Sequence, residues 1–245
     1  MLEPKPCYRH RKPRLSLGGC LAAVLLFAAP TGPLSAQGGN AAEAGNAAEE
    51  MRTLEHLRPD VAHGELLYRP CADCHSGQHK GFEADWVPQI AGQHERVLEK
   101  ELVDYRHGLR WDIRMERIAS RHVFTSVQQI ADVAAYAATL PIVPGSLGSG
   151  VGLAQGERLY GARCAGCHGL SAEGSNEQRI PRLAGQRFEY LLRQLHDAIE
   201  GRRPNLPPAH ERLLRKLDAE QLSGLADYLA RLPNASAQQQ FRSGG

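Results

Sequence analysis

The sequence predicts an all-α protein built from two tandem domains, and three observations predict it. The first is an internal repeat. Cys71, Cys74, His75, Pro88, Ala91, Gly92, Gln93 and Gly108 recur as Cys164, Cys167, His168, Pro181, Ala184, Gly185, Gln186 and Gly201, each displaced by the same 93 positions. The second is apolar residues at helical spacing: Ile130, Val133, Ala134 and Ala137 in one copy, Leu222, Leu225, Ala226 and Leu229 in the other. The third is the lack of any convincing alternating segment that would mark a strand.

In chain order, residues 1–36 of the 245 read as a cleaved signal peptide. Lys5, Arg9, Arg11, Lys12 and Arg14 precede an apolar run from Leu17 to Ala29, and the small residues Ser35 and Ala36 suit a cut after Ala36. The run is too short to stay in a bilayer as a span. Cys20 resembles a lipid-acceptor cysteine, but the bulk of the apolar run follows it, which favours a soluble exported product. Residues 37–60, rich in Ala, Gly, Asn and Glu, read as a flexible, poorly ordered spacer.

Domain 1 is expected over 61–143, a Pro-Gly-Ser linker over 144–152, domain 2 over 153–233 and a disordered tail over 234–245. Both domains open alike, with Gly64-Glu65-Leu66-Leu67-Tyr68 matching Gly156-Glu157-Arg158-Leu159-Tyr160. A middle helix follows each Ala-Gly-Gln, near 93–107 and 186–200. The last helix of each copy has a capping-box start, Ser126-Val127-Gln128-Gln129 and Asp218-Ala219-Glu220-Gln221. A domain of about 80 residues has little apolar core of its own and needs a staple or a buried cofactor.

Cleavage after Ala36 removes five of 29 basic and one of 27 acidic residues, leaving 24 against 26 and a net charge of −2. No basic patch is indicated, which weighs against nucleic acid and is compatible with docking onto a basic face of a protein partner. Cys7 and Cys20 leave with the leader, so every mature cysteine sits in one of two motifs, Cys71-Ala72-Asp73-Cys74-His75 and Cys164-Ala165-Gly166-Cys167-His168.

That spacing is the one c-type haem attachment requires. Two thiols three positions apart on a helical turn reach both vinyl groups of one haem, and the adjacent His75 or His168 then points at the iron. A thioredoxin-like redox pair would want a βαβ context that is missing, and a four-cysteine zinc site brings its two pairs within about 20 residues of each other. Export, duplication and the absence of other mature cysteines favour two covalent haem c groups.

Together with Pro-x-Ile/Leu-Ala-Gly-Gln after each motif, at Pro88 and Pro181, these residues make each copy resemble a class I cytochrome c domain, and the tandem pair is similar to the dihaem cytochrome c4 family. The resemblance covers roughly residues 61–233. It implies two all-α domains, each wrapped around one covalent haem c, with the Pro88 and Pro181 carbonyls accepting hydrogen bonds from the haem histidines; the bland reading of these prolines is loop punctuation.

The resemblance also implies a methionine as the sixth iron ligand of each domain. Outside the spacer, the mature chain offers only Met115, 40 residues past His75 and just after Gly108-Leu109-Arg110. Domain 2 has no methionine, a departure from the pattern. Met115-Glu116-Arg117-Ile118 nevertheless finds a counterpart in His210-Glu211-Arg212-Leu213, with two residues inserted before it and three deleted after it, which puts His210 where Met115 stands. Imidazole is a good iron ligand. The bland readings are a core methionine and a surface histidine beside an open or water-bound iron; His196 is a poorer candidate because it falls on the middle helix.

The expected function is single-electron transfer in the periplasm, between a donor dehydrogenase or quinol-oxidising complex and an acceptor oxidase or reductase, as a free carrier or an enzyme's cytochrome subunit, with membrane association only through a partner. A haem enzyme or ligand sensor using a labile position on the domain 2 iron is the competing expectation.

Overall fold

Capping, apolar spacing and close glycine contacts are realised as ten helices in a computed structural model, which describes residues 37–75, 86–143 and 145–233. Helices α1 (Gln37–Leu54), α2 (Val61–His75), α3 (Glu95–Arg106), α4 (Ile113–Ala119) and α5 (Val127–Thr139) precede α6 (Leu153–Arg163), α7 (Ala165–His168), α8 (Phe188–Ile199), α9 (Pro208–Leu214) and α10 (Ala219–Arg231). Among the described residues, extended pairing is confined to an isolated antiparallel bridge between Ser175 and Ile180. The expected signal peptide (1–36) and disordered tail (234–245) lie outside the described residues.

The repeat is legible helix by helix. α3 and α8 have 12 residues each, α4 and α9 seven, α5 and α10 thirteen. Both capping boxes form: the Ser126 and Asp218 side chains accept from the Gln129 and Gln221 N–H groups, whose side chains reach back to the cap.

The last helix of each copy carries the core. Ile130, Val133, Ala134 and Ala137 are buried in domain 1, and Leu222, Leu225, Ala226 and Leu229 in domain 2. α2 crosses α5 and α6 crosses α10, with the ring pairs Tyr68–Tyr136 and Tyr160–Tyr228 at 5.4 and 5.8 Å between centroids.

The crossings are close because a glycine sits at each. A Cβ on Gly64 would lie 2.0 Å from the Asp132 carbonyl oxygen, and one on Gly156 would lie 2.1 Å from that of Gly224. Backbone cannot yield as a flexible side chain can. Gly64→Ala and Gly156→Ala are each expected to destabilise the protein by about 1–3 kcal/mol, the range for overpacking. Calorimetry of the holoprotein checks this, and an unchanged Tm in both variants would contradict it.

The flexible spacer expected over 37–60 is corrected: most of it is helix α1, docked on domain 1. Ala47 and Leu54 are buried in the domain 1 core and Met51 packs against it. These three stand at i, i+4 and i+7, a short apolar stripe hidden in an Ala-rich segment. Alanine is also the best helix former, so a composition that reads as spacer has little to overcome in becoming helix.

The linker is tied down as well. Gly148 and Gly150 donate backbone N–H bonds to the buried Asp227 carboxylate at 2.9 and 2.7 Å, and Arg231 donates to the same group at 2.8 Å.

Candidate haem-binding sites

In domain 1 the attachment motif closes α2. Cys71 is half-buried, Cys74 exposed and His75 buried. His75 Nδ1–H donates to the Pro88 carbonyl at 2.7 Å, which leaves Nε2 as the nitrogen with a free lone pair. Burial pulls the His75 pKa down, and the Pro88 bond only partly opposes it, which favours the neutral ring that a metal ligand must be. Burial pushes the Cys71 thiol up to about 11, the opposite of what a reactive redox thiol needs.

A cavity opens beside these residues. Cys71, Cys74, His75, Pro88 and Met115 all line it, among apolar side chains such as Leu98, Leu102, Ile118 and Val133. Met115 is the third residue of α4, and its N–H is held at 3.3 Å by Asp112, whose carboxylate caps the helix and also accepts from Arg114 N–H at 3.0 Å. Met115 thus stands on the first turn of a capped helix, with its backbone position fixed by the cap.

Domain 2 repeats the plan with α7. His168 Nδ1–H donates to the Pro181 carbonyl at 3.3 Å, a longer bond than its counterpart. His210 is the third residue of α9, the same position that Met115 holds on α4. Its ring stands edge-on to that of His168, with centroids 6.4 Å apart and the planes at 63°. Two metal–nitrogen bonds of about 2 Å, plus roughly 1 Å from each ring centre to its coordinating nitrogen, come to about 6 Å, so a separation of this size has room for one metal ion. Burial pulls both histidines below the ordinary imidazole value; for His210, His168 and then Arg203 act in the same direction.

No group of three or more His, Cys, Asp or Glu converges among the described residues as a zinc site would need. In domain 1 the paired thiols, His75 and Met115 line one apolar cavity, and in domain 2 the His168 and His210 rings stand 6.4 Å apart; residues of this kind fit a macrocycle attached through the two thiols. His196 stands on α8.

A family model described as cytochrome c matches residues 61–141 and again 153–233. The chain belongs to the cytochrome c family, as a tandem dihaem member of the cytochrome c4 type. It is 31% identical over 186 residues to cytochrome c4 of Pseudomonas aeruginosa, a match covering 72% of this chain and 90% of that protein. The thiosulfate dehydrogenase electron acceptor of Stutzerimonas stutzeri is 28% identical, with 71% of this chain and 88% of that one covered. The structure of reduced recombinant cytochrome c4 from Pseudomonas stutzeri superposes with a TM-score of 0.62 at 27% identity, covering 72% of this chain and 100% of that one. Two cytochrome c domains of this family correspond to two covalently bound haem c groups, and the chain is a dihaem electron-transfer cytochrome.

Sequence reasoning gave no role to the seam between the domains, where this cytochrome buries charge. Arg110, 6% exposed, pairs with Glu101 at 2.5 Å and crosses the seam to Tyr190 Oη at 2.9 Å and Gln194 Oε1 at 2.8 Å. Arg203, its equivalent at the 93-residue offset, reaches Glu101 at 3.2 Å. Burial alone would raise the Glu101 carboxyl; Arg110, then Arg203 and Lys100, overcome it and hold it down at about 2. The offset itself was the available signal, since Arg110 and Arg203 repeat as regularly as the haem residues.

Proposed function

We propose that this cytochrome carries single electrons in the periplasm, exported on a leader over residues 1–36, between a donor dehydrogenase or quinol-oxidising complex and an acceptor oxidase or reductase. In this reading Cys71 and Cys74 hold one haem, with His75 and Met115 as axial ligands. Cys164 and Cys167 hold the other, with His168 and His210. Pro88 and Pro181 fix the ring planes and tautomers of His75 and His168. Haem supplies one-electron redox chemistry when bound. The residues of the chain attach it, exclude water from one face and choose its ligands.

The observation that carries this reading is the matched placement of Met115 and His210 on α4 and α9, with the 6.4 Å ring separation between His168 and His210. Thioether sulfur favours the reduced iron and raises the potential, whereas a second imidazole does not. Electrons therefore enter at domain 2 and leave from domain 1. Because one relative is named as a thiosulfate dehydrogenase electron acceptor, a thiosulfate-oxidising enzyme is the first donor to try. No described helix is long and apolar enough to cross a membrane.

Spectroscopy of the holoprotein tests the ligands. One of the two haems should show the Met–iron charge-transfer band, and neither ferrous haem should bind carbon monoxide rapidly. Rapid binding at the domain 2 haem would remove His210 from the assignment.

A further inference from the structure

The two domains are joined by a reciprocal pair of glutamine contacts related by the repeat. Gln186 Oε1 accepts from the Gln89 N–H at 2.9 Å while its Nε2 donates to the Gln89 carbonyl at 2.8 Å. Gln93 does the same in the other direction, accepting from the Arg182 N–H at 2.9 Å and donating to the Arg182 carbonyl at 3.0 Å. Each Oε1 also accepts from the next residue of its own chain segment, His94 or Arg187, at 3.0 Å. Three bonds thus fix each side-chain amide, and Gln186 and Gln89 are both only 8% exposed.

What these glutamines grip is as telling as the grip. Gln89 and Arg182 directly follow Pro88 and Pro181, so each N–H they offer belongs to the peptide unit whose carbonyl accepts from a haem-site histidine. One continuous chain runs from His75 Nδ1–H through the Pro88–Gln89 peptide to Gln186 Oε1. Its mirror runs from His168 Nδ1–H through the Pro181–Arg182 peptide to Gln93 Oε1.

We propose that Gln93 and Gln186 are positioning residues that act across the domain boundary, each tuning the haem histidine of the other domain through a single polarised peptide. The proposal rests on His75 and His168 being iron ligands. Hydrogen bonds in series strengthen one another by about 10–30% per bond, more effectively in a buried setting than in water. An acceptor on the peptide N–H makes its carbonyl a stronger acceptor in turn. The histidine then becomes a more electron-donating ligand, which stabilises ferric iron and lowers the potential. Gln186 therefore lowers the potential of the domain 1 haem, and Gln93 that of the domain 2 haem. The effect is larger for domain 1, whose histidine bond is 2.7 Å against 3.3 Å.

A glutamine that merely glued the interface would disturb its own domain first, so the crossed pattern is the test. In the holoprotein carrying both haems, Gln186→Leu and Gln93→Leu remove the acceptor at similar side-chain size. Each haem is titrated potentiometrically, and the Nδ1–H resonance of each ligand histidine is followed by NMR in the fully reduced protein. Gln186→Leu, in domain 2, should raise the potential of the domain 1 haem by a two- to threefold change in ferric-to-ferrous ratio, about 18–28 mV at 59 mV per tenfold for one electron. It should also move the His75 Nδ1–H resonance upfield. Gln93→Leu should give the mirror pattern at smaller size. Should a leucine variant not accumulate folded, Gln186→Asn and Gln93→Asn, one methylene too short to reach, carry the same crossed expectation. Shifts confined to the mutated domain, or no shift with axial ligation intact, overturn the relay alone; a wild type in which His75 or His168 does not ligate iron overturns the ligand reading with it.

Discussion

Replacing His210 by methionine should raise the potential of the domain 2 haem by on the order of 0.1 V, a fraction of the roughly 0.8 V that axial ligands span. It should also give that haem a Met–iron charge-transfer band of its own. His210 opens α9 at the same third position that Met115 occupies on α4, and both helices have seven residues. A methionine there starts from the same helical position that carries Met115 in the other copy. His168 stays in place on its Pro181 bond, so only one ligand changes. His210→Ala separates ligation from packing: with the imidazole gone, the domain 2 haem should bind carbon monoxide rapidly while the domain 1 haem stays inert. A His210→Met protein with wild-type potentials and spectrum would show that His210 never touched the iron.

The matched positions of Met115 and His210 are legible in the sequence, whereas helix α1 is not, for a physical reason. Short-range rules carried the first. The capping boxes at Ser126 and Asp218 need residues three apart, the haem motifs need residues within five, and both are decided locally. The repeat then supplied register over a longer distance, because two copies of one fold must place equivalent residues on equivalent helices. α1 has no second copy to compare with. Its stripe of Ala47, Met51 and Leu54 is three residues long, and it becomes convincing only once the surface that it covers on α3 and α5 is known. The seam was hidden for a related reason. Gln93 and Gln186 stood out as repeated residues, yet their partners are backbone groups 89 and 97 positions away, and backbone leaves no signature in composition.

The docking of α1 gives the second large expectation, that Glu50→Ala will cost domain 1 about 3–5 kcal/mol, the range for breaking a buried ion pair by removing one partner. Glu50 is 6% exposed on α1. Its carboxylate lies 3.3 Å from Arg106, 3.3 Å from His107 Nε2 and 2.7 Å from Arg121. The Arg106 side chain is 2% exposed and also donates to the Ala119 and Phe124 carbonyls at 2.9 and 2.8 Å, so it is anchored where it is and cannot follow water outward when Glu50 is lost. Burial already pulls the Arg106 guanidinium below its ordinary value, and Glu50 is the partner that opposes this. Removing it leaves a buried cation with neutral acceptors only. A domain of this size loses about 4–8 °C in Tm per kcal/mol, so calorimetry should register a fall of at least about 12 °C. Glu50→Gln keeps an acceptor for Arg106 and Arg121 without the charge and should fall between alanine and wild type. Amide exchange over α1 reports whether the helix lets go first: protection lost there, with α5 unchanged, would mean that Glu50 fastens an added helix to a domain that folds without it. Equal loss in α1 and α5 would mean that α1 is an integral wall of the domain 1 core, as the burial of Ala47 and Leu54 requires.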